Sequence, residues 1–194
     1  MTEMLETLEA AARAGGRVLV DALGSALHVR AKGPADFVSE ADLGSEHAIR
    51  SVLMAAYPDA AWRGEETGYS EGQASAYEFV VDPLDGTTNF LSGIPHFSVS
   101  IALREHARTI AAVVYQPLTD EMFCARAGSG ATRNGEPIRV STRSRWDEVV
   151  LATGIPHRGS AHHHSFAAEL AEIRDRVGGV RRFGSAALDL AWVA

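Results

Sequence analysis

The sequence predicts a mixed α/β fold in which helices pack against an antiparallel sheet. Three observations lead there. Apolar residues recur at helical spacing near the N-terminus, at Leu5, Leu8, Ala12, Leu19 and Leu23. Between Tyr77 and Val140 the pattern changes to short strand-like runs separated by turn residues. A further strand and a helical pattern follow Val149. With 194 residues, 46% of them hydrophobic, the chain can bury a sizeable core as one large domain or two small ones.

Residues 3–24 read as the first helix, and Gly15-Gly16 either weakens it or lets a neighbour pack closely. Arg30 to Val38, with Lys32, Gly33 and Pro34, reads as a polar loop. Ser39-Glu40-Ala41-Asp42 reads as a capping box opening a second helix, with Leu43, Ile49 and Leu53 inward and Pro58 beyond its end. Phe97 to Leu103 alternates large apolar residues with Ser and Ala, Ile110 to Tyr115 is a continuous apolar run, and Met122 to Ala125 a shorter one. Asn134-Gly135 signals a hairpin between Gly130 and Val140, and the short spacings suggest an antiparallel sheet. Val149 to Thr153 begins another strand, and Phe166, Leu170, Ile173 and Val177 mark a helix. Gly184 onward opens one more, which reaches Ala194 without a cap or stop signal.

The formal charge of −7 argues against a nucleic-acid-binding face, and the pairs Arg143/Arg145 and Arg181/Arg182 are too short to form one. A single cysteine, Cys124, rules out an internal disulfide, suits a reducing cytoplasm and sits in an apolar segment as a packing residue. Polar residues interrupt every apolar run, so neither a signal peptide nor a membrane span is expected. His162-His163-His164 reads as an exposed loop or helix start, because consecutive histidines cannot all face one ion on a regular element. His96 and His157 each follow a proline, and nothing assigns them a role.

The most informative segment is Phe79-Val-Val-Asp82-Pro83-Leu84-Asp85-Gly86-Thr87-Thr88-Asn89-Phe90. An apolar run ends in Asp82, and Pro83 biases that residue towards extended backbone. Asp85 and a turn of small polar residues follow. Two acids and open N–H groups in this order can hold a hard cation and the phosphate it binds. A solvated turn at Asp85-Gly86 is the plain alternative. Upstream, Gly64-Glu65-Glu66 adds carboxylates, and such a cluster takes up protons unless a cation is present.

Gly64-Glu65-Glu66 together with Asp82-Pro83-Leu84-Asp85-Gly86-Thr87-Thr88-Asn89 resembles the inositol monophosphatase family of magnesium-dependent, lithium-sensitive phosphatases. The resemblance runs from about Lys32 to Gly184-Ser185-Ala186-Ala187. It implies a layered αβαβα sandwich with an antiparallel N-terminal sheet, incomplete at the C-terminus. Residues 1–143 would be the metal-binding α+β part, and 144–194 the beginning of a C-terminal α/β part. Family members continue into a Trp-Asp motif whose aspartate is another metal ligand, so the site of this chain is expected to be truncated.

Carried over by resemblance, Glu65, Asp82 and the backbone carbonyl of Leu84 would bind one Mg2+, and Asp82 with Asp85 a second. Thr87 would position the attacking water, with Asp42 accepting a hydrogen bond from the Thr87 hydroxyl; Asp42 also suits a helix-capping role. The N–H groups of Gly86 and Thr87 would cradle the phosphate, and Lys32 falls near a family lysine beside the metals. Ser185 and Ala186 match the family's sugar-side contact, although a serine there also suits an N-cap. The implied reaction is hydrolysis of a small phosphorylated polyol by metal-activated water, with inositol monophosphate leading and histidinol, sugar or nucleotide phosphates as alternatives. A homodimer is the usual family state. Some bacterial relatives also associate with the transcription machinery, so a catalytically weak binding protein is the second expectation.

Overall fold

The computed structural model describes residues 2–24, 29–33, 36–73, 75–156 and 159–194, with backbone alone for 2, 29–33 and 36–38. Its first helix, α1 (Thr2–Ala22), is followed by strands β1 (Val29–Gly33) and β2 (Asp36–Ser39) and by helix α2 (Glu40–Ala56). Next come β3 (Ala61–Gly64), β4 (Gly68–Ser70), β5 (Tyr77–Asp85), the short helix α3 (Thr87–Leu91), β6 (Ser98–Glu105), β7 (Arg108–Gln116), β8 (Glu121–Arg126), β9 (Gly130–Arg133) and β10 (Glu136–Ile138). The chain closes with β11 (Val150–Ala152), α4 (His163–Ile173), β12 (Gly179–Arg181) and α5 (Ala186–Ala191).

Among the described residues, one eight-stranded sheet dominates, in the order β10-β9-β8-β7-β6-β5-β3-β4. Strand alternation gives it two faces. Phe79, Val81, Val99, Ile101, Leu103, Ala111 and Val113 form the buried face, which α1 and α2 cover with Leu8, Leu19, Ile49 and Leu53. Gly15 lets the two helices meet, since a Cβ there would stand 2.7 Å from Ile49 Cγ1. Helix α5 lies over the other face, against β6 and β7, with Leu188 buried. Strands β11 and β12 pair in parallel and flank α4 in sequence as a separate βαβ unit.

Several expectations need correction. Arg30 to Val38 is not a loop: Arg30, Ala31 and Gly33 pair with Val38, Phe37 and Asp36 in an antiparallel ladder. Polar composition hid that hairpin. The antiparallel sheet expected between Tyr77 and Val140 is present, and β3, which lies before that range, joins β5 in parallel. Leu43 is 39% exposed, because α2 turns Asp42, Ser45 and Glu46 inward with Ile49 and Leu53. Helix α4 stops at Ile173, so Val177 lies beyond it. The capping box is present, with Ser39 as N-cap. So is the hairpin, with Asn134 and Gly135 both at positive φ between β9 and β10. His163 opens α4 and His162 is its N-cap residue.

Candidate active site

The site forms where β5 ends, and a bulge creates it. Asp82 pairs with Ser100 and Asp85 with Ser98, so the step from 82 to 85 on β5 faces the shorter step from 100 to 98 on β6. In a regular strand an odd separation would send the two acids to opposite faces. The extra residue restores them to one face. Pro83, which has no N–H to give to the ladder, sits inside this irregularity.

Asp82 Oδ1 accepts the Leu84 N–H at 3.1 Å. The Asx-type contact therefore belongs to Asp82 and not to Asp85. Burial pushes the Asp82 carboxyl up to about 8, with the charges of Glu65 and Asp85 and a hydrogen bond to Glu65 adding to the shift. Parallel pairing of Gly64 with Val81 brings Glu65 to this place, and Glu65 N–H donates to Val81 O at 3.0 Å.

Asp85 faces the far end of the chain. Its Oδ2 accepts Ser185 Oγ–H at 2.6 Å and Ala187 N–H at 2.7 Å. Ser185 is the N-cap residue of α5, as expected, but its hydroxyl makes no cap hydrogen bond; Asp85 serves that helix start instead. Ser98 Oγ lies 3.1 Å from Ser185 Oγ, and Ala186 begins the helix beside them.

The segment expected as a turn at 86–89 is the start of α3. Gly86 holds φ 101° and ψ 32° as its N-cap, a backbone state that glycine adopts without steric cost. Thr87 follows, and its single hydroxyl proton faces two acceptors, Leu84 O at 3.1 Å and Asp42 Oδ1 at 3.3 Å. Asp42 is buried, and its Oδ2 accepts the Ser39 N–H at 2.8 Å and the Ser39 hydroxyl at 2.5 Å. The cap and the Thr87 contact thus use different oxygens of one carboxylate. Lys32 lies on β1, and its side chain is outside the described residues, as is His157 altogether.

Asp42, Thr87, Glu65, Asp82, Leu84, Asp85, Gly86, Ser185 and Ala186 are thus linked by hydrogen bonds, by pairing and by chain adjacency. Among the described residues, however, no three His, Cys, Asp or Glu side chains already surround one point. The donors are nonetheless carboxylate and carbonyl oxygens, the set a hard cation prefers, and the raised Asp82 shows charge that a cation would relieve.

Sequence reasoning missed three contributors. Ser45 Oγ donates to Pro83 O at 3.0 Å, and buried Glu46 accepts the Glu66 and Thr67 N–H groups at 2.8 and 3.0 Å. Asn89 Nδ2 donates to His96 O at 2.7 Å and Phe183 O at 2.8 Å, tying α3 to the approach to α5. The signal was available for α2: Asp42, Ser45 and Glu46 share helical spacing with Ile49 and Leu53, so polar groups occupy its buried stripe.

Asp82 and Asp85 also line a cleft of about 470 Å³ with Ser100, Val114, Phe123 and Leu190, on the sheet face that α5 shares. Cys124 borders it as well. Its thiol is pushed up to about 12 by burial and by Glu9, which fits a packing role.

In this mixed sheet an interior strand, β5, ends in paired acids beside a helix start. The sequence model of the inositol monophosphatase family matches residues 1–194, and the chain belongs to that family. It is 47% identical over 168 residues to an inositol-1-monophosphatase of Rhizobium meliloti, covering 87% of this chain and 63% of that protein. It is 40% identical over 196 residues to Nus factor SuhB of Vibrio cholerae, covering 100% of this chain and 73% of that protein. The extragenic suppressor protein suhB of Bartonella henselae has a similar structure, with TM-score 0.96 and 46% identity over 98% of this chain and 74% of that one. The chain therefore spans about two thirds to three quarters of these relatives' lengths.

Proposed function

We propose that this chain carries catalytic residues of a Mg2+-dependent phosphomonoesterase acting on a small phosphorylated polyol, with inositol monophosphate as the leading substrate. The single observation that carries this reading is the bulge at Asp82–Asp85, which sets two acids on one face beside Glu65 and the Thr87–Asp42 contact. Glu65, Asp82 and the Leu84 carbonyl would hold one ion, and Asp82 with Asp85 another. Bound there, Mg2+ would supply Lewis-acid stabilisation of charge on the phosphoryl oxygens.

The chain's own groups do the rest. Thr87 Oγ1 orients the attacking water: its hydroxyl donates a hydrogen bond to Asp42 Oδ1, which leaves its oxygen lone pairs to accept from the water. The N–H groups of Gly86 and Thr87 are offered to the phosphate, where glycine permits close approach. Ser185 and Ala186 stand on the sugar side, and Lys32 is proposed to add positive charge.

Phosphate release from inositol monophosphate and histidinol phosphate, with and without Mg2+, tests the reading. Metal-dependent release that Asp82→Asn abolishes supports it, as does inhibition by Li+. No release from folded protein speaks against catalysis by this chain.

A second reading is a binding protein associated with transcription. The match of relatives named Nus factor SuhB to the whole chain favours it. Binding of a transcription complex retained by Asp82→Asn, in a chain without turnover, would select it over the enzyme.

A further inference from the structure

We propose that Glu46 is the positioning residue of the candidate cation site, holding Glu65 beside Asp82 by gripping the backbone that follows it. The inference rests on the reading of Glu65 as a cation ligand.

Glu46 is fully buried on α2. A carboxylate out of water is costly unless its oxygens are hydrogen-bonded. Among the described residues, the donors to Glu46 come from one short turn. Oε2 accepts the Glu66 N–H at 2.8 Å, and Oε1 accepts the Thr67 N–H at 3.0 Å and the Thr67 hydroxyl. Trp62 Nε1–H donates in turn to Thr67 Oγ1 at 3.0 Å, so a chain of hydrogen bonds runs from β3 to the carboxylate. Gly64 admits the contact, because a Cβ there would stand 2.4 Å from Glu46 Oε1.

The residues held, Glu66 and Thr67, directly follow Glu65. Its other side is fixed by the N–H donated to Val81 O on β5. Glu65 itself is exposed, so packing does not orient it. The geometry of its backbone is set by Glu46 on one flank and by β5 on the other.

Helix α2 extends the same logic. Asp42, Ser45 and Glu46 lie three and four residues apart on one stripe. They reach Thr87, Pro83 O and the Glu66–Thr67 backbone respectively. One rigid helix thereby indexes each segment that carries a candidate ligand. A glutamate that merely fastened α2 to the sheet would have no need to choose the amides beside Glu65.

Glutamine at this position turns an N–H donor towards one of the backbone donors. The experiment is Mn2+ binding to the 194-residue chain, read by electron paramagnetic resonance, with Mg2+ in competition. Glu46→Gln is expected to weaken Mn2+ binding about tenfold or more. Leu53→Ala, a core change on the same helix, is expected to lower thermal stability without that loss. Thr67→Val, at an exposed position, removes one donor and is expected to weaken binding less, while Thr67→Ser keeps the hydroxyl and restores it.

Wild-type affinity in folded Glu46→Gln overturns the proposal, as does a loss that Leu53→Ala reproduces. If Glu46→Gln does not fold, equal affinities in Thr67→Val and Thr67→Ser overturn it. Glu65→Gln separates the two levels of the argument. An unchanged affinity there, or no binding to the wild-type chain, sinks the ligand reading itself. A loss in Glu65→Gln without one in Glu46→Gln sinks only the positioning role.

Discussion

Asp82 illustrates what the site demands of single residues. Its carboxyl stands at about 8 against an ordinary 3.8, raised first by burial and then by Glu65 and Asp85. A folded-state value above the unfolded one means that the native chain holds a proton the unfolded chain has released. That contribution to stability is complete below about pH 4 and is lost as pH rises through about 8. In EDTA the melting temperature should therefore fall between about pH 5 and pH 8, and Asp82→Asn should flatten the slope. Parallel slopes for the two proteins in thermal melts would contradict this. Thr87 offers a cleaner test of chemistry. Thr87→Val should reduce Mg2+-dependent phosphate release about 100-fold or more. The same change leaves buried Asp42 Oδ1 without this donor and should cost about 1–3 kcal/mol of stability in urea titrations. Thr87→Ser should recover turnover. At this scale the sequence was legible where acids crowd into one motif, as at Asp82 and Asp85. It was opaque at Glu46, whose donors lie about twenty positions away and whose helical setting looks like any solvated glutamate.

Elements are held together by a few close approaches. Gly15→Ala improves helix propensity by about 1 kcal/mol. The added carbon would meet Ile49 Cγ1 and Ser45 Oγ at 2.7 Å, inside a contact that cannot open without moving α2. Overpacking of this kind costs about 1–3 kcal/mol, so net destabilisation is expected, measured as a lower urea midpoint. Asn89→Ala should be about as damaging. It removes the hydrogen bonds to His96 O and Phe183 O, and a typical hydrogen bond contributes about 0.5–1.5 kcal/mol. A melting temperature within error of wild type would show that this tie contributes little. The sequence announced α2 through its capping box and β9–β10 through Asn134-Gly135, because turn and cap chemistry is local. It did not announce β3: Ala61-Trp62-Arg63-Gly64 is too short to show alternation, and its pairing with β5 is non-local. The Asp82–Asp85 bulge was equally hidden, since only the partner strand reveals an extra residue.

Across the whole molecule, the main sheet has one well-covered face and one that is covered only in part. α5 leaves the cleft of about 470 Å³ open, and Leu190, Trp192 and Val193 are 75, 41 and 63% exposed. Exposed apolar surface promotes association and dye binding. Bright anilinonaphthalene sulfonate fluorescence and concentration-dependent light scattering are expected, both reduced by Leu190→Gln with Val193→Gln. Fluorescence unchanged by that pair would place the dye elsewhere. No helix among the described residues is long and apolar enough to cross a membrane. Strand β5 has the opposite character. It lies inside the sheet, between β6 and β3, and carries Asp82, Leu84 and Asp85 at its end. Core strands exchange their amide hydrogens only through the rarest and most extensive openings. Deuterium should therefore enter β5 among the last segments of the chain, with or without a cation. A cation drawn to such a rim would meet a fixed backbone but an occupied side chain, since Asp85 Oδ2 is held by Ser185 and Ala187. The pace of capture would then be shared between the ion, which must shed tightly held water, and the carboxylate, which must let go of the helix start.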